Sequence, residues 1–259
     1  MNVLVFDIET IPDVEAGRRI YDLEGLDDAD VARVMFNKRR EQTGDSEFLR
    51  HHLQRVCAIS VVLRQGDTFK VWSLGEPAAD EADLVRRFYD GIEKYTPTLV
   101  SWNGSGFDLP VLHYRALKHG IVASRYWETG DDDQSFRWNN YLSRYHARHT
   151  DLMDVLAYYQ PRASAPLDQI AVMLGLPGKM GMSGAHVWDE YQAGNIEGIR
   201  NYCETDVLNT WLVYLRWELI RGRLDHGAYE KELSLVRTTL AASDRAHLNE
   251  FLSAWESAT

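Results

Sequence analysis

A chain of 259 residues, 45% of them hydrophobic, can bury a sizeable core as one α/β domain or two small ones. Its formal net charge of -11, from 39 acidic and 28 basic residues, argues against broad electrostatic binding of nucleic acid, but is compatible with an enzyme whose carboxylates are neutralised locally by cations. No apolar run of about twenty residues marks a membrane span and no signal-peptide pattern opens the chain. Two cysteines, Cys57 and Cys203, make neither a zinc site nor a disulfide framework, so a reducing, cytoplasmic compartment is expected.

In chain order, NVLVFDI reads as a buried strand, followed by a polar, mostly helical insertion from about Asp13 to His52. RVCAISVVL and TFKVWSL, joined by the turn RQGD, read as a hairpin. EADLVRRFYDGIEKY has helical spacing, Pro97 introduces the short strand TLVSW, and NGSG ends it. DLPVLHYRALKHG reads as a helix opened by Asp108, with Pro110 in its first turn and Gly120 as its stop. RYWETGDDDQSFRWNNYLSRYH has no period and reads as a loop. After HTDLMDVL the chain is helical, with candidates at Leu167 to Leu174, Val187 to Ala193, Ile196 to Arg221, and a C-terminal pair from about Ala228.

Three short constellations carry chemistry. In FDIET, Asp7 and Glu9 at i and i+2 of a strand share a face, and buried like charges repel unless a cation sits between them. A strand ending near Phe6, with both carboxylates in water, is the plainer alternative. In SWNGSGFDLP, small residues permit a sharp turn and Asp108 stands at a helix start, where capping alone accounts for it. In NYCETDVLNTW, Tyr202 and Asp206 at i and i+4 share a helix face, although Glu204 and Asn209 equally suit a solvent-facing helix.

Other residues are weighed against simple roles. The basic runs Asn37 to Arg40 and Ser143 to His149 read as solvated faces ahead of backbone-binding patches. His51, His52, His146 and His149 lack metal-ligand spacing. Asp151 and Asp154 are explained by helix capping and solvent exposure. Trp102 and Phe107 have the chemistry to stack a terminal base, with core packing as the competing role. GKMGMSG, which contains Lys179, lacks phosphate-loop spacing.

The order and setting of the three constellations match one pattern. The chain resembles the DEDD superfamily of 3'-5' exonucleases, in which a D-x-E on the first strand (here Asp7 and Glu9), a later Asp (Asp108) and an Asp on a late helix (Asp206) form the four-carboxylate set. Tyr202, four residues before the last aspartate, matches the tyrosine (DEDDy) branch. Asn103, Phe107 and Asp108 match the second motif of the exonuclease domain of family B DNA polymerases. The resemblance runs from Val3 to about Arg216. PLDQIAVMLGL is similar to the helix before the third motif, and Leu176 to Tyr191 suits a stand-alone bacterial form.

That resemblance implies an α/β, ribonuclease H-like fold: a five-stranded mixed sheet flanked by helices, with the second strand antiparallel and the fifth near RYHARHTDLM. It implies an exonuclease domain over 1–222 and a helical C-terminal extension over 223–259 packed on the same domain. With no room for a polymerase palm or fingers after Thr259, a freestanding enzyme or subunit is expected. The implied cofactors are two divalent cations, Mg2+ or Mn2+. Asp7 would bridge them, Glu9 and Asp206 would complete the nucleophile side, and Asp108 would support the second, partly through water. Tyr202 would orient the attacking water, with Thr10, Trp102, Asn103 and Phe107 on the substrate side. The implied substrate is the 3' end of single-stranded nucleic acid, DNA favoured and RNA possible, with release of 5' mononucleotides. An exoribonuclease and a catalytically silent adaptor are the alternatives.

Overall fold

The structure is a computed structural model that describes residues 1–258; Thr259, the last residue of the expected extension, lies outside them. The first strand, β1 (Asn2–Pro12), is longer than the apolar run that announces it. It continues through Asp7 and Glu9 because β2 (Gln54–Gln65) pairs antiparallel along its whole length, from Asn2 opposite Gln65 to Pro12 opposite Gln54. A register shift between Glu9 and Thr10 leaves Cys57 of β2 unpaired, a bulge in β2 opposite the second carboxylate. β3 (Thr68–Ser73) pairs antiparallel with β2. On the other edge β4 (Thr98–Ser101) and β5 (His149–Asp151) add in parallel.

The resulting order β3-β2-β1-β4-β5, with β2 alone running against the rest, is the ribonuclease H-like mixed sheet. Between β1 and β2 lie α1 (Val14–Ile20) and α2 (Asp28–Thr43). α3 (Glu81–Tyr95), α4 (Asp108–His119), α5 (Ser124–Trp127), α6 (Leu152–Leu156), α7 (Leu167–Met173) and α8 (Val187–Gln192) follow, then the long α9 (Ile196–Ile220), α10 (His226–Ala241) and α11 (Ala246–Ala258). Among the described residues no helix is long and apolar enough to cross a membrane.

The period of two along β1 sorts the core into two layers. Leu4, Phe6 and Ile8 pack with α3 and α4 residues such as Phe88 and Leu112. Val3 and Val5 pack with α9, whose Val207, Leu208 and Trp211 are fully buried. Asp7 and Glu9 continue the second series, so the alternation that builds the core also aims both carboxylates at α9. α10 and α11 bury Val236, Leu240 and Phe251 in the same layer. With the sheet on one side and these helices on the other, α9 is enclosed nearly all round, which is why its sequence carries no clean apolar stripe.

Several simple readings yield to burial. Asp108 does not cap its own helix: α4 has no side-chain cap, and the carboxylate turns back to β1. Asp151 is not solvent-exposed but buried, although it does accept from the Asp154 N–H at the start of α6. The third motif does not lie on a solvent face, since Glu204 is 0% exposed and Asn209 1%. The aperiodic loop contains α5 and buries Phe136 and Tyr141 in the α3–α4 layer. Nor is Ser143 to His149 a free basic patch: Arg144 pairs with Asp154, and Arg148 lies 3.7 Å over the Phe136 ring.

Candidate active site

β4 covers β1 only from Val3 to Val5. Beyond that point the Ile8 N–H, lacking a strand partner there, donates to Asp108 Oδ1 at 3.1 Å. The loop between β4 and α4 makes this approach possible. Asn103 adopts a left-handed φ of 62°, and a Cβ on Gly104 would fall 2.2 Å from Ser101 Oγ. Asp151 fixes the loop by accepting from the N–H groups of Asn103 and Ser105, both at 2.9 Å. The buried His149 hydrogen-bonds Ser101 at 2.8 Å, and burial pushes its pKa down to about 4, so it stays neutral and outside the site.

From the other side α9 presents Tyr202, Cys203 and Asp206. A cleft of about 200 Å³ is lined by Asp7, Trp102, Asp168, Lys179, Tyr202 and Asp206, among others. Electrostatics ties Glu9 and Asp108 to the same centre. Burial first, then Asp108, Glu9 and Asp206, hold the Asp7 pKa well above the carboxylate range. Glu9 is raised by burial and by Asp206 and Asp108, against a lowering contribution from Lys179. Burial carries Asp108 up to about 7, with Asp151 adding to it, and carries Asp206 up to about 6, against the Tyr202 hydrogen bond and Lys179. Tyr202 itself is raised by burial and the surrounding carboxylates, so its phenol stays protonated and donates to Asp206.

Four mutually repelling carboxyl groups in a buried cleft are the donor set of hard divalent cations. The ligand atoms of Asp7, Glu9 and Cys203 lie within 4.8 Å of one another. Cys203 is nonetheless a poor ligand. Its Sγ sits 3.4 Å from both the Asp7 carbonyl and Asp7 Oδ2, and burial with Asp7 and Glu9 pushes its pKa up, so it remains a thiol that donates to Asp7. The available donors are oxygens, which fits magnesium or manganese.

The other sequence candidates occupy varied places. Trp102 lines the cleft while packing on the α9 layer. Asn103 shapes the loop, and a Cβ on Gly106 would meet its Oδ1 at 2.4 Å. Phe107 packs against Phe48 and His51, with ring centroids 5.3 and 5.8 Å apart. Thr10 hydrogen-bonds Gln54 at 3.0 Å and lines a different cavity. Sequence reasoning undervalued Lys179, whose N–H donates to Asp168 Oδ1 at 2.7 Å and whose charge reaches Glu9 and Asp206. It missed Cys203, whose adjacency to Tyr202 was the available signal.

The raised pKa values set a pH dependence. An acid whose folded pKa exceeds its ordinary 3.8 costs nothing when protonated at low pH, and its cost grows as it ionises. Metal-free protein should therefore lose stability relative to an Asp108→Asn variant as pH rises from about 4 to about 7, and saturating Mn2+ should reverse that loss. Thermal unfolding of both proteins in EDTA and in Mn2+ measures the difference. A gap independent of pH would contradict the raised Asp108.

Comparison with known proteins gives three findings. The profile of a family described as a predicted 3'-5' exonuclease related to the exonuclease domain of PolB matches residues 46–255, a span that contains Asp108, Tyr202 and Asp206 and begins after Asp7 and Glu9. A stretch of 43 residues is 46% identical to DNA polymerase 1 of Sulfurisphaera ohwakuensis, covering 17% of this chain and 5% of that protein. The family B DNA polymerase of the hyperthermophilic archaeon Pyrobaculum calidifontis aligns in structure over 98% of this chain and 27% of its own, with TM-score 0.49 and 16% identity. The chain thus spans only a small part of either polymerase. On the family match, which covers most of its length, the chain belongs to the predicted 3'-5' exonucleases related to the exonuclease domain of PolB.

Proposed function

We propose that this protein is a tyrosine-type, two-metal 3'-5' exonuclease that shortens single-stranded nucleic acid from its 3' end and releases 5' mononucleotides. The observation that carries this reading is the convergence of Asp7, Glu9, Asp108 and Asp206 from β1, α4 and α9, with all four carboxyl groups raised by burial and by one another. DNA is favoured over RNA because the family is related to the exonuclease domain of PolB. The catalytic unit of this reading is residues 1–222, with the C-terminal helices packed on it.

Phosphodiester hydrolysis builds negative charge on the non-bridging oxygens and on the departing 3' oxygen. Two divalent cations, when bound, supply the charge that offsets this and acidify water. Asp7 and Glu9 offer oxygen ligands from one face of β1, Asp206 faces them from α9, and Asp108 joins from the start of α4. A phenol pushed above its ordinary pKa of 10 does not remove a proton at neutral pH, so Tyr202, whose hydrogen goes to Asp206, orients the attacking water by accepting a hydrogen bond from it on the phenol oxygen. Lys179 brings a positive charge into the same cleft, complementary to the scissile phosphate.

The test uses end-labelled DNA and RNA of matched sequence, single- and double-stranded, with Mg2+, Mn2+ or EDTA. Stepwise loss from the 3' end, blocked by a 3' phosphate and abolished by EDTA, is expected. Nicking of a closed circle, digestion from the 5' end alone, or full activity in EDTA would contradict it. Tyr202→Phe should lower kcat roughly 10- to 1000-fold with KM little changed, since the lost hydrogen bond acts mainly in the transition state. Wild-type turnover by that variant would leave Tyr202 as a packing residue only.

A further inference from the structure

A second cavity, of about 430 Å³, opens between the insertion and the segment leading into α8. Its volume is that of a ligand site, roughly 300–1,000 Å³, and Phe36, Phe48 and Trp188 give it three aromatic walls. Phe48 is 55% exposed, yet it is fixed in place: Arg39 Nε donates to its carbonyl at 2.8 Å, and its ring packs on Phe107. The Trp188 ring is stacked on Tyr191 at 6.1 Å and 13°. Rigid, partly exposed rings of this kind suit the flat faces of nucleobases, because little ordering remains to be done on binding.

Two backbone junctions join this cavity to the carboxylate cleft. Thr10, on its floor, directly follows Glu9 at the register shift, and Phe107, behind Phe48, directly precedes Asp108. The charge pattern selects which part of a strand enters. The lining carries the carboxylates of Glu47 and Asp189; Arg40 offsets the charge of Glu47, so Asp189 is the charge that disfavours a phosphodiester there while leaving a neutral base unaffected. The Thr10 hydroxyl, whose hydrogen goes to Gln54 Oε1 at 3.0 Å, has lone pairs left to accept from a base edge.

We infer that this cavity holds unpaired bases adjoining the scissile phosphate, stacked on Phe48 and Trp188, and that the insertion between β1 and β2 thereby selects unpaired 3' ends. The inference rests on the exonuclease reading above. Stacking requires the strand to be single, since paired bases cannot leave their helix to enter an aromatic slot without paying for unstacking.

Photo-cross-linking tests occupancy without turnover. An oligodeoxynucleotide carrying 5-iodouracil at its 3'-terminal positions, bound to the Asp7→Asn protein, should give adducts on Phe48, Phe36 or Trp188; adducts confined to other segments would overturn the proposal. In steady state, the Phe48→Ala/Trp188→Ala protein should show a KM for oligothymidylate raised about tenfold or more relative to its KM for methyl p-nitrophenyl phosphate, a phosphodiester that carries no base. Equal changes for the two substrates would also overturn it. If the double variant fails to fold, Phe48→Ala alone, which alters a largely exposed side chain, carries the same comparison. Cleavage of the small ester by the wild type with Mn2+ reports the carboxylate cleft by itself. Ester cleavage without the cross-links would sink the base cavity and spare the exonuclease reading, while cross-links without any hydrolysis would do the reverse.

Discussion

Replacing Asp7 with asparagine is expected to lower kcat by about 1000-fold or more while leaving the protein at least as thermally stable as the wild type. Asp7 is the carboxylate on which the others act: Asp108, Glu9 and Asp206 each raise it, on top of its burial. On the proposed two-metal reading, removing its charge takes away a shared ligand and at the same time relieves repulsion, so activity and stability move in opposite directions. An ordinary core substitution moves them together. Single-turnover cleavage of a 3'-labelled strand and a thermal melt in EDTA give the two readings. A variant that is inactive because it unfolds, or one that retains full activity, would contradict the assignment.

The largest effect on stability is expected away from the cleft, at Arg115. Its guanidinium, 1% exposed, bridges Asp13 at 2.6 Å and Glu81 at 2.5 Å, and so ties the start of the insertion to the start of α3. Lys118 also reaches Asp13 at 2.9 Å, while Glu81 accepts from the Val56 N–H on β2 at 2.7 Å. Arg115→Met removes the shared partner of two buried carboxylates, leaving Asp13 to Lys118 and Glu81 to His119 and the Val56 N–H, and should cost about 3 kcal/mol, a fall in Tm of roughly 10 °C. Burial works to raise the Asp13 pKa, but Lys118 and Arg115 outweigh it and hold it at about 2. A depressed acid contributes stability above its ordinary value and loses it as pH falls toward the folded one, so the gap between wild type and variant should narrow from about pH 4 down to about pH 2. Denaturant melts across that range would refute the network if Arg115→Met unfolded like the wild type.

Local chemistry made part of this architecture readable. α3 runs over the periodic segment Glu81–Tyr95, because Asp80 caps it and its apolar stripe has one sheet face to cover. The three motifs could be set in order from sequence, since strand alternation and helical spacing fix which side chains share a face. What could not be read depends on distant partners. The strand through Asp7 and Glu9 looks finished at Phe6 until β2 is laid along it. Glu204 looks solvent-facing until Arg245 and His247, 41 and 43 residues later, arrive to pair it. Phe136 and Tyr141 have no period because they enter the core from an irregular loop. Lys179 belongs to a segment whose placement is set by contact with Asp168 and has no pattern of its own.

Glu204 sits two residues from both Tyr202 and Asp206, wholly buried, and accepts from Ser73 at 2.7 Å, Arg245 at 2.6 Å and His247 at 2.9 Å. Burial favours the neutral acid, yet these partners hold its pKa below the ordinary value, so the charged form is the one the fold accommodates. During translation this imposes an order of events. A nascent chain that has produced α9 has Ser73 available for Glu204, but no Arg245 or His247, and the helix bearing Tyr202 and Asp206 cannot seat without burying a carboxylate short of two of its partners. The candidate site is completed only once Arg245 and His247, 41 and 43 residues after Glu204, have left the ribosome, and the same buried charge that delays the helix later locks it down.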